Sequence, residues 1–129
     1  MKLAVTPIDI LRRAGLEVIT AGVGGKEITG AHGIKVQADV ALEQYRGMPD
    51  AIVLPGGLPG AENLANSKPL ENLIRKMDEA GKTIGAICAA PPLVLPRKGF
   101  LDGRKATCYP GLEKNFGGTT TFSTDRVVR

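Results

Sequence analysis

The residue best suited to covalent chemistry is Cys88, in the run Ile84-Gly-Ala-Ile-Cys88-Ala-Ala-Pro-Pro-Leu-Val94. A short apolar stretch leads into the cysteine, and a helix with prolines confined to its first turn leads away. A nucleophile on so sharp a strand-to-helix turn needs small neighbours two residues before and after it, because backbones pass close there. Ala86 and Ala90 fill those places, so the stretch reads as a nucleophile elbow with cysteine and alanines replacing the Ser/Gly version. The positive end of a helix favours a thiolate at such a turn. The competing reading is a small buried hydrophobe, a common use of free cysteine.

The second informative stretch is Leu54-Pro-Gly-Gly57. Glycines let a main-chain amide approach a substrate. The amides of Gly57 and Ala89 could together form an oxyanion hole. Both stretches follow short apolar runs, and ligands of open parallel sheets bind at the carboxyl ends of the strands. Taken alone, Pro-Gly-Gly is ordinary turn chemistry.

Composition excludes several function classes. The 129 residues suffice for one domain, expected to expose about 6,500 Å² when folded. Apolar residues make up 43% and charged residues 23%, which argues against disorder. No apolar run reaches the length of a membrane span, and no secretory signal follows Met1-Lys2. Two cysteines make no disulfide framework, so a reducing cytoplasm is expected. The net charge of +4 is mild, and no Lys/Arg run exceeds two residues, so no nucleic-acid partner is expected. One histidine, without CxxC or HxxxH spacing, argues against a metal.

The elements that would position these residues alternate. Thr6-Pro7-Ile8-Asp9 reads as a capped helix start, ended at Gly15. Leu16 to Val23 reads as a strand, Ile28 to Ala38 as a loose hairpin, and Ala41 to Arg46 as a short helix. Ala51-Ile-Val-Leu54 has the continuous apolar character of a strand buried on both faces. Ser67 caps a helix whose Leu70, Leu73, Ile74 and Met77 line one side. Strands are expected at Thr83–Ile87 and Lys105–Cys108, with another possible near the turn-rich end. This is an α/β pattern with a mostly parallel sheet.

Together, Ala51-Ile-Val-Leu-Pro-Gly-Gly-Leu-Pro-Gly-Ala-Glu-Asn-Leu64 and Ile84 to Pro91 resemble the ThiJ/PfpI superfamily. More narrowly they are similar to its Parkinsonism-associated deglycase branch. Thr6 to Gly15, Ala31-His-Gly-Ile-Lys-Val36 and Lys105-Ala-Thr-Cys-Tyr-Pro-Gly111 fit as well, so the likeness runs along nearly the whole chain. It implies a single, incomplete class I glutamine amidotransferase-like domain over residues 1–129, a flavodoxin-like three-layer sandwich, and a homodimer. It implies Cys88 as an oxidation-prone nucleophile and the amides of Gly57 and Ala89 as the oxyanion hole. The implied activity is cofactor-free: glyoxalase chemistry on methylglyoxal, a small aldehyde, or deglycation of early glycation adducts, through a hemithioacetal at Cys88.

The same likeness defines departures. The family takes its proton-transfer glutamate from a loop after the first strand, and Leu3 stands at that position. By this alignment the first strand and the last strand and helix are expected to be absent, which leaves catalysis by this chain open. Substitute proton carriers are Asp9, His32 and Tyr109. Their blander readings are a helix-start carboxylate, a loop histidine and a pocket filler. The likeness places His32 near the dimer interface and the pocket. It places Tyr109 where some members carry a histidine beside the cysteine. Cys108 is either a resolving thiol or a buried strand residue. The alternatives to an enzyme are a redox-sensing, chaperone-like stress protein and an inactive, truncated family member. A peptidase is disfavoured, because that branch places histidine where Ala89 stands.

Overall fold

The structure is a computed structural model describing all 129 residues. The amino-terminal helix, α1, runs over Lys2–Arg13 and not from Thr6. Met1 supplies its first acceptor, bonding the amides of Ala4 (3.0 Å) and Val5 (3.1 Å). Pro7 therefore lies inside the helix. The apolar period explains the early start: Leu3, Ala4, Pro7, Ile8 and Leu11 are all half-buried on one face. Asp9 is thus a mid-helix residue paired with Arg13 at 3.6 Å, and not a cap.

Strand β1 is only Ala21–Gly22, shorter than the expected Leu16 to Val23. It pairs in parallel with β4 (Val40–Ala41). Between them stands the expected hairpin, β2 (Glu27–Thr29) antiparallel to β3 (Lys35–Gln37). The short helix after β4 is a single 3-10 turn, Leu42–Gln44.

Strand β5 (Ala51–Leu54) pairs in parallel with β6 (Thr83–Ala86), Leu54 opposite Ala86. Two helices connect them, α2 (Gly60–Ala65) and α3 (Lys68–Glu79). The reading of β5 as buried on both faces needs correction. Leu54 is buried, but Ala51 and Val53, which alternate onto the opposite face, are exposed. Helix α3 follows its expected plan. The Ser67 hydroxyl accepts from the Leu70 amide, and Leu70, Ile74 and Met77 are buried. Helix α4 (Ala90–Val94) follows β6 and carries its prolines in the first turn. A 3-10 turn, Pro96–Lys98, continues from it. Strand β7 (Lys105–Ala106) pairs in parallel with β8 (Thr121–Phe122).

The architecture is α/β, with three parallel two-stranded ladders and one antiparallel. One apolar cluster joins the layers: Leu54 of β5, Leu70 and Ile74 of α3, Ala90 and Val94 of α4, and Ala106 of β7 among them. The accessible surface is 8323 Å², well above the compact expectation, and only 18 residues are buried. Leu16, Ile19, Val53 and Ile87 are among the apolar residues that remain exposed. No helix is long and apolar enough to cross a membrane.

Candidate functional site

The candidate site lies where the β5 and β6 carboxyl ends meet. The parallel pairing extends one step past the strands, as the Ile87 amide donates to the Leu54 carbonyl at 3.2 Å. The chain then turns at Cys88, the one non-glycine residue with positive φ, at +62°. Left-handed backbone costs an L-residue roughly 1–2 kcal/mol, and such strain collects at functional sites. Ala89 and Ala90 are buried immediately behind it. Ala86, two residues before it, is half-buried.

The Pro55-Gly56-Gly57 loop closes against this turn. A β-carbon on Gly56 would stand 2.6 Å from the Ile87 carbonyl oxygen, 2.7 Å from the Ala89 nitrogen and 2.7 Å from the Cys88 β-carbon. Only glycine fits. Gly57 is needed for a different reason: its φ is +88°, while space around it is open. Sequence reasoning singled out Gly57 and passed over Gly56. The signal available was the doubled glycine itself, which gives one residue for the turn and one for the approach.

Neither the Gly57 amide nor the Ala89 amide donates to any protein acceptor. Unspent main-chain donors can stabilise a developing negative charge on a ligand. The Gly57 carbonyl is occupied, accepting from Ala61 at 2.8 Å, which ties the loop to α2.

From the other side, the Tyr109 amide donates to the Cys88 carbonyl at 2.9 Å. This bond brings Tyr109 beside the cysteine, with its side chain 60% exposed and its phenol unbonded. Cys108, one residue earlier, is half-buried and a free thiol. Burial pushes its pKa up, and the charges of Glu113 and Cys88 add to that. The structure does not join the other candidates to Cys88. His32 is exposed in the β2–β3 turn and makes no ion pair or side-chain hydrogen bond. Asp9 belongs to the exposed side of α1. Leu3 is half-buried in the first turn of α1 and carries no proton. No three His, Cys, Asp or Glu side chains converge as a metal site would require.

The DJ-1/PfpI family matches residues 4–129. Protein DJ-1 homolog B of Arabidopsis thaliana is 44% identical over 126 residues, covering 96% of this chain and 29% of that protein. Deglycase PYRAB04690 of Pyrococcus abyssi is 37% identical over 108 residues, covering 83% and 64%. The glutathione-independent glyoxalase DJR-1.2 of Caenorhabditis elegans is 34% identical over 121 residues, covering 93% and 64%. Among solved structures, the DJ-1 superfamily protein STM1931 from Salmonella typhimurium superposes with a TM-score of 0.91 at 34% identity. That match covers 98% of this chain and 69% of the other. The chain thus spans about a third of the Arabidopsis relative and under two thirds of the deglycase and the glyoxalase.

Proposed function

Because the chain belongs to the DJ-1/PfpI family, we propose that it is a cofactor-free, cysteine-dependent glyoxalase or deglycase with Cys88 as nucleophile. The observation that carries this reading is the strained φ of +62° at Cys88, beside the unspent amides of Gly57 and Ala89. The names deglycase and glutathione-independent glyoxalase among its relatives give the substrate class, a small aldehyde or glycated adduct.

The chemistry follows from that arrangement. The Cys88 thiolate adds to the aldehyde carbon of methylglyoxal, and the carbonyl oxygen takes up the negative charge. The two amides stabilise that oxyanion, which on protonation gives a hemithioacetal. A proton then leaves the former aldehyde carbon and one is added to the neighbouring carbonyl carbon, which converts the adduct to a lactoyl thioester. Water hydrolyses the thioester to lactate and frees the thiol. Among the candidate proton carriers, Tyr109 is the one whose main chain lies beside the cysteine, its amide donating to the Cys88 carbonyl at 2.9 Å. A homodimer is part of this proposal, supported by Val5 and Ile10, which α1 leaves exposed.

The test is lactate formation by the 129-residue chain from methylglyoxal without glutathione. The expected result is turnover that Cys88→Ala abolishes. An unchanged rate in Cys88→Ala overturns the reading. A second reading is favoured by one observation: Leu3, which cannot transfer a proton, stands in the first turn of α1. In that case the chain is a redox-responsive, non-catalytic protein. Its signature is a +32 mass species at Cys88 after mild peroxide, with no lactate formed.

A further inference from the structure

A cavity lies away from Cys88. Cys88 precedes the amino end of α4, whereas this cavity opens beyond the carboxyl end, between the start of α3 and the Pro96–Lys98 turn. Its volume is about 470 Å³, and all but one of its lining residues are polar or charged. It is a polar depression open to solvent. Lys68 comes from the first turn of α3, and Arg97 and Lys98 come from the turn after α4.

The charges in this cavity do not balance. Glu71 is its single carboxylate, and its side chain is only 14% exposed. It is already shared by Lys68 at 3.1 Å, Lys98 at 3.3 Å and Arg75, from outside the cavity, at 3.5 Å. Arg97 pairs with no carboxylate; it donates to the Asn66 side-chain oxygen at 2.9 Å. Three lining cations therefore face one anion, an excess of two positive charges. The frame is fixed: Ser67 is buried and caps α3, and Leu95 anchors the second segment in the core. Glu71 draws the solvent-exposed Lys68 and Lys98 toward one carboxylate, and each ammonium keeps donor capacity to spare. The positive end of the twelve-residue α3 adds to the same field.

We propose that this cavity binds a phosphate dianion, held by Lys68, Arg97 and Lys98, with the remaining volume open to a small organic group. A dianion cancels the two excess charges, and a guanidinium without a carboxylate is suited to bidentate contact with phosphate oxygens. This site does not depend on the chemistry assigned to Cys88, and Cys88→Ala is expected to retain it.

The test is backbone amide shifts of the ¹⁵N-labelled 129-residue chain at constant ionic strength. Three titrations run in parallel: glycerol 3-phosphate, inorganic phosphate and sodium chloride. The expected result is saturable shifts at residues 66–71 and 97–99 with the phosphates and none with chloride. Equal binding of the two phosphates assigns free phosphate as the ligand, tighter binding of glycerol 3-phosphate assigns an organic phosphate, and both uphold the site. Arg97→Gln with Lys98→Gln should weaken binding at least about tenfold. Lys68→Gln, on the other segment, should weaken it as well and serves if the double variant fails to fold. No saturation by about 20 mM, or variants that bind within about twofold of the original, overturns the proposal.

Discussion

Gly56 lies against Cys88 so closely that a β-carbon on the glycine would stand 2.7 Å from the β-carbon of the cysteine. The Pro-Gly-Gly loop and the cysteine turn are therefore one packed unit, and each glycine of the pair serves it differently. A methyl group at Gly56 collides with main-chain atoms of Ile87 and Ala89 that cannot rotate away. Gly56→Ala is expected to cost about 1–3 kcal/mol, as overpacking does, and to displace the loop. Gly57→Ala meets open space and should cost only its left-handed backbone, about 1–2 kcal/mol. Urea unfolding measures both. The rate of Cys88 alkylation should change more in Gly56→Ala than in Gly57→Ala, and equal rates would count against the packed unit.

The positive φ of Cys88 makes a second prediction. Cys88→Gly removes the penalty on a β-carbon in the left-handed region, whereas Cys88→Ala keeps it. The glycine variant should be the more stable of the two by about 1 kcal/mol, after the entropy of a more flexible unfolded chain is subtracted. Denaturation midpoints with equal m-values would establish this. An alanine variant as stable as the glycine variant would mean that the turn carries no such strain.

A third prediction concerns acid. Asp39 accepts from the Thr20 amide and from the Thr20 hydroxyl, each at 2.8 Å, and from Arg12 at 3.2 Å. These bonds, the Thr20 amide first, hold its pKa below the ordinary 3.8, with burial opposing. The folded value is lowered, so the contribution is fully present above pH 3.8 and is lost as pH falls through the lower folded value. The same contacts join α1 to the start of β1 and to β4. On acidification from pH 6 to pH 3, the native chain should lose more thermal stability than Asp39→Asn. Identical losses would show that this carboxylate does not carry the linkage.

Much of this was legible in the chain itself. The Ala86-Ile-Cys88-Ala-Ala90 spacing defined the turn, because only small residues permit that backbone crossing. Ser67 with Leu70, Ile74 and Met77 defined α3, because cap and period are local properties. The β5 and β6 strands were visible as short apolar runs, and the Pro-Gly-Gly loop as the segment that follows one of them. Other features depended on distant partners. Pro7 reads locally as a helix start, yet the half-buried face from Leu3 to Leu11 and the Met1 carbonyl carry the helix back to Lys2. Leu16 to Val23 has strand character, but a strand exists only where a ladder partner stands, and β4 pairs with just two of its residues. Val53 has the side chain of a core residue and is exposed, since a strand is buried on both faces only where other elements pack over both. Gly56 could not be ranked above Gly57 from its own sequence, because its close neighbours lie some thirty positions away. The sequence by itself determined the sharp turn at Cys88 and the α/β pattern, which follow from residue size and local periodicity. Tertiary structure alone decided which glycine touches the cysteine, that Tyr109 rather than His32 bonds to the cysteine's backbone, and that Lys68 meets Arg97 and Lys98 in a common cavity. Those are contacts between segments remote in sequence, fixed only when the chain packs.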